Sequence, residues 1–378
     1  MSKPVIMCVV GTRPEAIKMA PVVAELRRFD AVSTLLVSTG QHREILHAAL
    51  GSFGLAPDVD LAIMQHGASL AQVTCRALEG IDAQIAAHGP AAIVAQGDTT
   101  TTFVSSLAAF YRQLPFAHVE AGLRTDRIDN PFPEEYNRRA AGLVAAMHFA
   151  PTDWAAENLI REGKPPADVF VCGNTGIDAV MDTARQQDHA WFPEHDGRVI
   201  LMTTHRRENW GEPQRQIALA AREVLEATPD ALLVVAMHPN PRVREVIEPV
   251  LGGHPRVRLI EPPDYAPFVK LMQRAHLILT DSGGVQEEAP SFGVPVLVMR
   301  TTTERPEGVH AGTARLVGTD YAAIVGSARQ LLDDPAAYAA MAKAVSPYGD
   351  GRAAARIRYI LLSRLGVESP EETMWRHA

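Results

Sequence analysis

Short apolar runs alternate along the chain with longer stretches of mixed, helix-like character. The runs cover residues 5–10, 34–37, 91–95, 116–119, 144–149 and 169–172 in the first half. In the second half they cover 199–202, 232–236, 257–260, 277–279 and 294–298. Runs with little polar interruption predict strands buried on both faces, and their alternation with helices predicts parallel sheets. About eleven strands exceed one comfortable sheet, so the pattern predicts two α/β domains. The junction falls at residues 174–197, where a helix-like stretch leads into the polar segment WFPEHDG. After the first run a helix is expected, with Pro14 in its first turn, where a missing N–H costs nothing. Pro21 is expected to kink or divide that helix.

The unusual polar residues fall at one place in each unit. Arg13, His42, Asp98, Glu120, His205, His238, Asp281 and Ser282 all follow a predicted strand. In open α/β sheets that is the edge where ligands bind. Any one of them reads equally well as an ordinary turn or cap residue. The whole set points to a ligand edge.

Composition narrows the class. In 378 residues, 47% are hydrophobic and 21% charged, which excludes a disordered or collagen-like chain. Lys and Arg number 36 against 44 Asp and Glu, a net charge of −8. That balance argues against a nucleic-acid partner but permits an anionic small molecule held by local basic residues. Cys8, Cys75 and Cys172 are far apart, so neither a disulfide framework nor a zinc ribbon is expected. Reduced thiols fit the cytoplasm. The first apolar run stops at Val10, too short for a signal segment, and no stretch approaches the roughly 20 apolar residues that span a bilayer. The expectation is a soluble cytoplasmic protein with no membrane contact. The histidines His42, His205 and His238 lie at strand ends without ligand spacing, so no metal is expected.

Several nucleotide and hydrolase signatures are missing: G-x-x-x-x-G-K-[ST], G-x-G-x-x-G after the first strand, H-E-x-x-H and G-x-S-x-G. In TDSGGVQEEAP (280–290), Ser282, Gly283 and Gly284 would present N–H groups and a hydroxyl to an anion at a helix start. Glu287 or Glu288, a turn later, would accept from vicinal hydroxyls; the alternative is a capped helix with acidic early residues. In GTRPEAIK (11–18), Arg13 suits a bidentate phosphate contact, while Lys18 equally suits a solvated helix face. In HRREN (205–209), His205 can donate to phosphate or exchange a proton near neutral pH. Asp98, Glu120 and Glu134 come from three separate turns and together suit proton transfer, although glycoside hydrolysis or cation binding also uses such groups. Glu134 and Glu135 also suit the simple opening of a helix after Pro133.

The segments GTRPEAIKMAPV, STGQH, QGDTTTT, HVEAGLRT, PFPEEYNRR, HRREN, MHPNP, TDSGGVQEEAPSFGVPVLVMR and TERPEGVHAGT occur in order between residues 11 and 313, with YGDG at 348–351. Together they resemble the non-hydrolysing UDP-N-acetylglucosamine 2-epimerases of bacteria. The resemblance implies a GT-B architecture: two Rossmann-like domains whose parallel sheets face across a cleft that holds the active site. It implies an N-terminal domain over residues 1–173, a C-terminal UDP-binding domain over 174–354, and a last helix at about 355–378 packed back on the first. It also implies interconversion of UDP-GlcNAc and UDP-ManNAc, no cofactor, a homodimer, and supply of ManNAc units for cell-surface polysaccharide.

The chemistry so implied is elimination and readdition through 2-acetamidoglucal. Asp98, Glu120 and Glu134 match the family's essential carboxylates. Arg13 and His205 match residues near the diphosphate, and Lys18 lies in the same turn and helix. Glu288 matches the ribose-binding Glu, and Phe268 lies in the segment of the uracil contact. A second, activating UDP-GlcNAc site is matched by Gln41, His42, Arg206 and His238, whereas Gly67 and Glu44 stand where some relatives carry Arg and Gln. Three rivals are a hydrolysing epimerase releasing ManNAc and UDP, a GT-B glycosyltransferase, and a non-catalytic nucleotide-sugar binder. GTRPE and HVEAGLRT argue against the first, no acceptor site is recognisable for the second, and three strand-end carboxylates argue against the third.

Overall fold

The computed structural model describes residues 3–40, 43–65, 67–125 and 127–375. The chain divides into two compact units, Met1–Ala179 with Tyr348–Ala378, and Val180–Pro347. The first unit holds β1 (Val5–Val10), β2 (Ser33–Ser38), β3 (Val59–Asp60), β4 (Ala92–Gln96), β5 (Phe116–Val119), β6 (Met147–Ala150) and β7 (Val169–Val171). They form one sheet in the order β3-β2-β1-β4-β5-β6-β7, every pair parallel. The second unit holds β8 (Val199–Thr204), β9 (Leu232–Met237), β10 (Val257–Ile260), β11 (Leu277–Thr280), β12 (Val296–Val298) and β13 (Ala314–Leu316). Their order is β10-β9-β8-β11-β12-β13, again all parallel. Two parallel-sheet α/β units are therefore the fold, as the alternation of runs and helices predicts.

Burial explains the strand signal. β4, β5, β6, β8 and β11 are buried at every residue, because helices cover both sheet faces. Three expectations need correction. The strands β3 and β13 lack a long apolar run, since one has only two residues and the other carries Arg315 at its centre. Val144 closes the helix Glu134–Val144, and the strand that follows begins only at Met147. Pro21 does not divide its helix, which runs unbroken over Arg13–Arg27 with Pro14 in the first turn.

The two segments of the first unit are tied together locally. The helix Ala353–Arg364 packs on the helix Arg13–Arg27. Its first N–H groups, at Ala353 and Ala354, donate to the buried Asp178 carboxylate at 3.1 and 2.9 Å. Asn174 N–H donates to the Tyr348 carbonyl at 2.7 Å. The chain passes from the first unit to the second within the helix Thr175–Gln186.

Candidate active site

In each sheet the strand order reverses once, between β1 and β4 in the first unit and between β8 and β11 in the second. Ligands of open α/β sheets bind outside the strand ends at such a reversal. GTRPE and QGDTTT follow β1 and β4; HRREN and TDSGG follow β8 and β11.

At the first reversal, Glu15 fastens the two turns to each other. Its buried carboxylate accepts from Gly11 N–H at 3.0 Å and Thr12 N–H at 2.7 Å, within its own turn. It also accepts from the Thr99 and Thr102 hydroxyls at 2.6 and 3.2 Å, across on the other. Burial raises its pKa, and these hydrogen bonds oppose that rise. The packing leaves no room at Gly11, where a Cβ would overlap the Thr101 hydroxyl and stand 2.6 Å from that of Thr39. Arg13, half-buried at the helix start, makes no side-chain hydrogen bond or ion pair among the described residues.

The three carboxylates are held differently. Glu120 follows β5 directly and is buried, with a left-handed φ of 59°. Lys18 Nζ reaches its two oxygens at 2.6 and 2.8 Å, and Gln96 Nε2 donates to it as well. Lys18 thus lies against a carboxylate instead of a solvated face. Asp98 is gripped by Arg138 Nη2 at 2.5 Å, while Asn137 Nδ2 donates to the Asp98 carbonyl at 3.0 Å. Both partners belong to the helix Glu134–Val144, so Asp98 lies beside that helix. Glu134 is its first residue, half-buried, and its carboxylate has no partner among the described residues. The neighbouring Glu135 is fully buried and structural: it binds Arg139 at 2.6 Å, Arg138 at 3.3 Å and Thr125 N–H at 3.1 Å. A clamped, a gripped and an uncommitted carboxylate gathered at one sheet edge are suited to exchanging protons.

At the second reversal the fully buried Asp281 plays the fastening role. It accepts from the Thr204 hydroxyl, Asn209 Nδ2 and the N–H groups of His205 and Arg206, each at about 3.0 Å. His205 Nδ1 stands 3.0 Å from it. Burial alone would raise the Asp281 pKa; the His205 ring and the backbone N–H groups outweigh it and hold the carboxyl below its usual range. The rings of His205 and His238 stack with centroids 5.9 Å apart and planes 25° apart. Arg206 Nε donates to the Asp281 carbonyl at 3.3 Å.

Ser282 occupies the cap position of the short helix Gly283–Glu288 without a side-chain cap bond. Gly283 and Gly284 open the helix. Of the two acids considered for hydroxyl binding, Glu287 is buried and bonded by Arg305 Nε at 2.7 Å, and Glu288 is half-buried at the helix end. Phe268 sits on the helix Tyr265–Arg274, partly buried against the core. Of the residues matched to an activating site, Arg206 and His238 follow β8 and β9, while Gln41 and His42 lie outside the described residues. Gly67 has φ +75° with open space around its Cα, and Glu44 is exposed.

Glu15, Gln96, Arg138 and Asn209 also shape these edges and were not singled out from sequence. For Glu15 a signal existed: Thr12-x-x-Glu15 is a capping-box spacing. For the other three, nothing local marks a partner tens of residues away. Among the described residues, no group of three His, Cys, Asp or Glu side chains could hold a metal ion, and no helix is long and apolar enough to cross a membrane.

A family model described as UDP-N-acetylglucosamine 2-epimerase matches residues 24–362. The UDP-N-acetylglucosamine 2-epimerase of Bacillus subtilis is 48% identical over 368 residues, covering 97% of this chain and 97% of its own. The crystal structure of a putative UDP-N-acetylglucosamine 2-epimerase from Listeria monocytogenes superposes with a TM-score of 0.93 at 47% identity, covering 99% of this chain and all of that one. A UDP-GlcNAc 2-epimerase from Neisseria meningitidis, solved with UDP-GlcNAc bound, gives a TM-score of 0.85 at 44% identity over 95% of this chain and all of that one. With the family model spanning most of its length and a relative sharing nearly half its residues end to end, the chain belongs to the UDP-N-acetylglucosamine 2-epimerase family.

Proposed function

We propose that the protein is an isomerase that interconverts UDP-GlcNAc and UDP-ManNAc by inverting C2. The observation that carries this reading is the set of three differently held carboxylates in the first unit, in a chain of this family. Inversion at C2 needs proton exchange on two faces, hence more than one acid/base group. The C2 proton is not next to a carbonyl and is barely acidic. Breaking the C1–O bond to UDP makes C1 cationic and acidifies C2–H. A carboxylate takes the C2 proton, the C–H electron pair forms the C1=C2 bond of 2-acetamidoglucal, and the C1–O pair leaves with UDP. In the return step a proton is delivered to the opposite face of C2, and UDP re-forms the C1–O bond.

Asp98, Glu120 and Glu134 carry the proton transfers in this reading. Arg13, uncommitted to any other side chain among the described residues, and His205 stabilise the charge that grows on the departing phosphate. Such preorganised electrostatic help is worth roughly 3–4 kcal/mol per donor. Lys18, bonded to Glu120, assists at the same edge. Ser282, Gly283 and Gly284 receive the diphosphate on the second unit, Glu288 the ribose and Phe268 the uracil. That assigns proton transfer to residues 1–173 and nucleotide binding to 174–354. This reading assigns Arg206 and His238 on the second unit to binding an activating UDP-GlcNAc; the matched Gln41 and His42 lie outside the described residues.

The same reading makes the enzyme a cytoplasmic homodimer that supplies ManNAc units for polysaccharide. Exposed Phe110 and Tyr111 on one helix, and Tyr136 and Leu143 on the helix packed beside it, support self-association. Light scattering of the pure protein and cell fractionation test these two points.

Proton NMR of the enzyme with UDP-GlcNAc in D2O tests the reaction. UDP-ManNAc carrying deuterium at C2 is the expected product. Free ManNAc with UDP would instead mark a hydrolase, and an unchanged spectrum would overturn catalysis on this sugar. Asp98→Asn is expected to lower turnover by about 1,000-fold or more while UDP still binds, read by the same assay and by calorimetry.

A further inference from the structure

We infer that Asp281 is a positioning residue that fixes His205 with Nδ1 protonated and Nε2 as its working nitrogen, while Asn240 fixes the stacked His238 in the opposite tautomer, so that the two rings present unlike nitrogens to the edge. The inference rests on the epimerase reading above and assigns the inner working of its phosphate-facing edge.

Donor chemistry decides each tautomer. The Asp281 carboxylate, 3.0 Å from His205 Nδ1, can only accept there while ionised, so Nδ1 carries the hydrogen. Four further donors, from Thr204, His205, Arg206 and Asn209, satisfy the same carboxylate and keep it ionised although it is wholly buried. At His238 the donor is a backbone amide, Asn240 N–H, 3.2 Å from Nδ1. An amide cannot accept, so Nδ1 of His238 is bare and Nε2 carries its hydrogen.

The charges around the pair point the same way. Facing His205 are Asp281 after β11, His238 after β9 and the adjacent Arg206. Facing His238 are His205 and, from the helix Pro241–Leu251, Arg244, whose Nε donates to the His238 carbonyl at 3.3 Å and whose Nη2 pairs with Glu261 at 2.5 Å. Burial first, and then the neighbouring His205, lower the pKa of His238. The Asp281 carboxylate meets the His205 ring directly and acts on His238 through its charge, opposing the lowering there. The edge then turns Nε2 of His205, free to exchange a proton, towards a departing diphosphate, beside a His238 whose Nε2 carries its hydrogen. When UDP adds back, the arrangement is unchanged.

Full-length protein labelled with 15N in its histidine rings tests this through long-range 1H–15N spectra from about pH 5 to about pH 9. His205→Asn and His238→Asn assign the signals. The expected result is a neutral His205 with its hydrogen on Nδ1, beside a neutral His238 with its hydrogen on Nε2. In Asp281→Asn, His205 should lose its fixed tautomer, and kcat should fall about 100-fold with KM changed far less. A purely structural role would lower thermal stability and leave the His205 tautomer as it was. Observation of Nε2–H on neutral His205, of Nδ1–H on neutral His238, or wild-type kcat in a folded Asp281→Asn protein would each overturn the inference. The wild-type spectra decide the tautomers even where that variant does not fold. They need no substrate, so they stand apart from failure of the enzyme to turn over UDP-GlcNAc.

Discussion

Glu120 carries an unusual backbone for its type: φ of 59° is a region that non-glycine residues occupy at a cost of about 1–3 kcal/mol. Lys18 and Gln96 hold its carboxylate in place against that cost. Lys18→Met would leave a buried carboxylate without its cation, and breaking one partner of such a pair costs roughly 3–5 kcal/mol. The expected outcome is a stability loss of that order in urea unfolding, together with a drop in turnover of about 100-fold. Retained turnover with lost stability would make Lys18 structural only. The sequence pointed to Lys18 and Glu120 separately, one as a helix residue near phosphate and one as an acid at a strand end. Their bond spans 102 positions, and no local pattern records such a distance.

Among the elements, the turns after β1 and β4 depend on each other through Glu15. Glu15→Ala would strand the buried Gly11 N–H and the Thr99 hydroxyl, each lost bond worth about 1–3 kcal/mol where no water replaces it, while the Thr102 hydroxyl keeps the Gln96 carbonyl at 2.6 Å. The expected result is a lower melting temperature with weaker UDP binding, since the turn carrying Arg13 loosens; calorimetry reads both. Most strands were legible because a parallel strand covered on both faces must be apolar along its length. β3 and β13 were not, because they are short strands at the edges of their sheets, where one neighbour is missing and polar residues such as Asp60 and Arg315 are tolerated. The ligand edge was legible for a related reason. Polar residues that break an apolar run stand out, whereas nothing local shows that Asn137, Arg138 and Asn209, although they lie in the quoted segments, hold Asp98 and Asp281.

For the molecule as a whole, acid stability is set in part by two histidines buried side by side on β5 and β6. His118 and His148 are register partners, each about 1% exposed. His118 Nε2 bonds the Gly97 carbonyl at 2.7 Å. Among the described residues, Nδ1 of each ring is buried without a partner. Burial is the main cause that pushes their pKa values down, to about 3 for His118 and about 4 for His148. In the unfolded chain both would take up protons below about pH 6.5, while in the fold both stay neutral. Stability is therefore full above that pH and falls as pH drops towards 4, by about 1.4 kcal/mol per pH unit for each ring. Urea titrations from pH 7 to pH 4 should show this slope, and His118→Gln should flatten it; an unchanged slope in that variant would place the acid sensitivity elsewhere.

The crossing of the chain between its units also has a temporal consequence. The first unit is not continuous: it stops at Ala179 and resumes only at Tyr348, where Asn174 and Asp178 tie the returning turn and helix to the outgoing segment. A ribosome therefore finishes every residue of the second unit before the first can be completed. At about 5–20 residues per second, the helix Arg13–Arg27 waits many seconds with the face meant for Ala353–Arg364 uncovered. The half of the protein made first is the half completed last, and in that interval its apolar surface is available to chaperones.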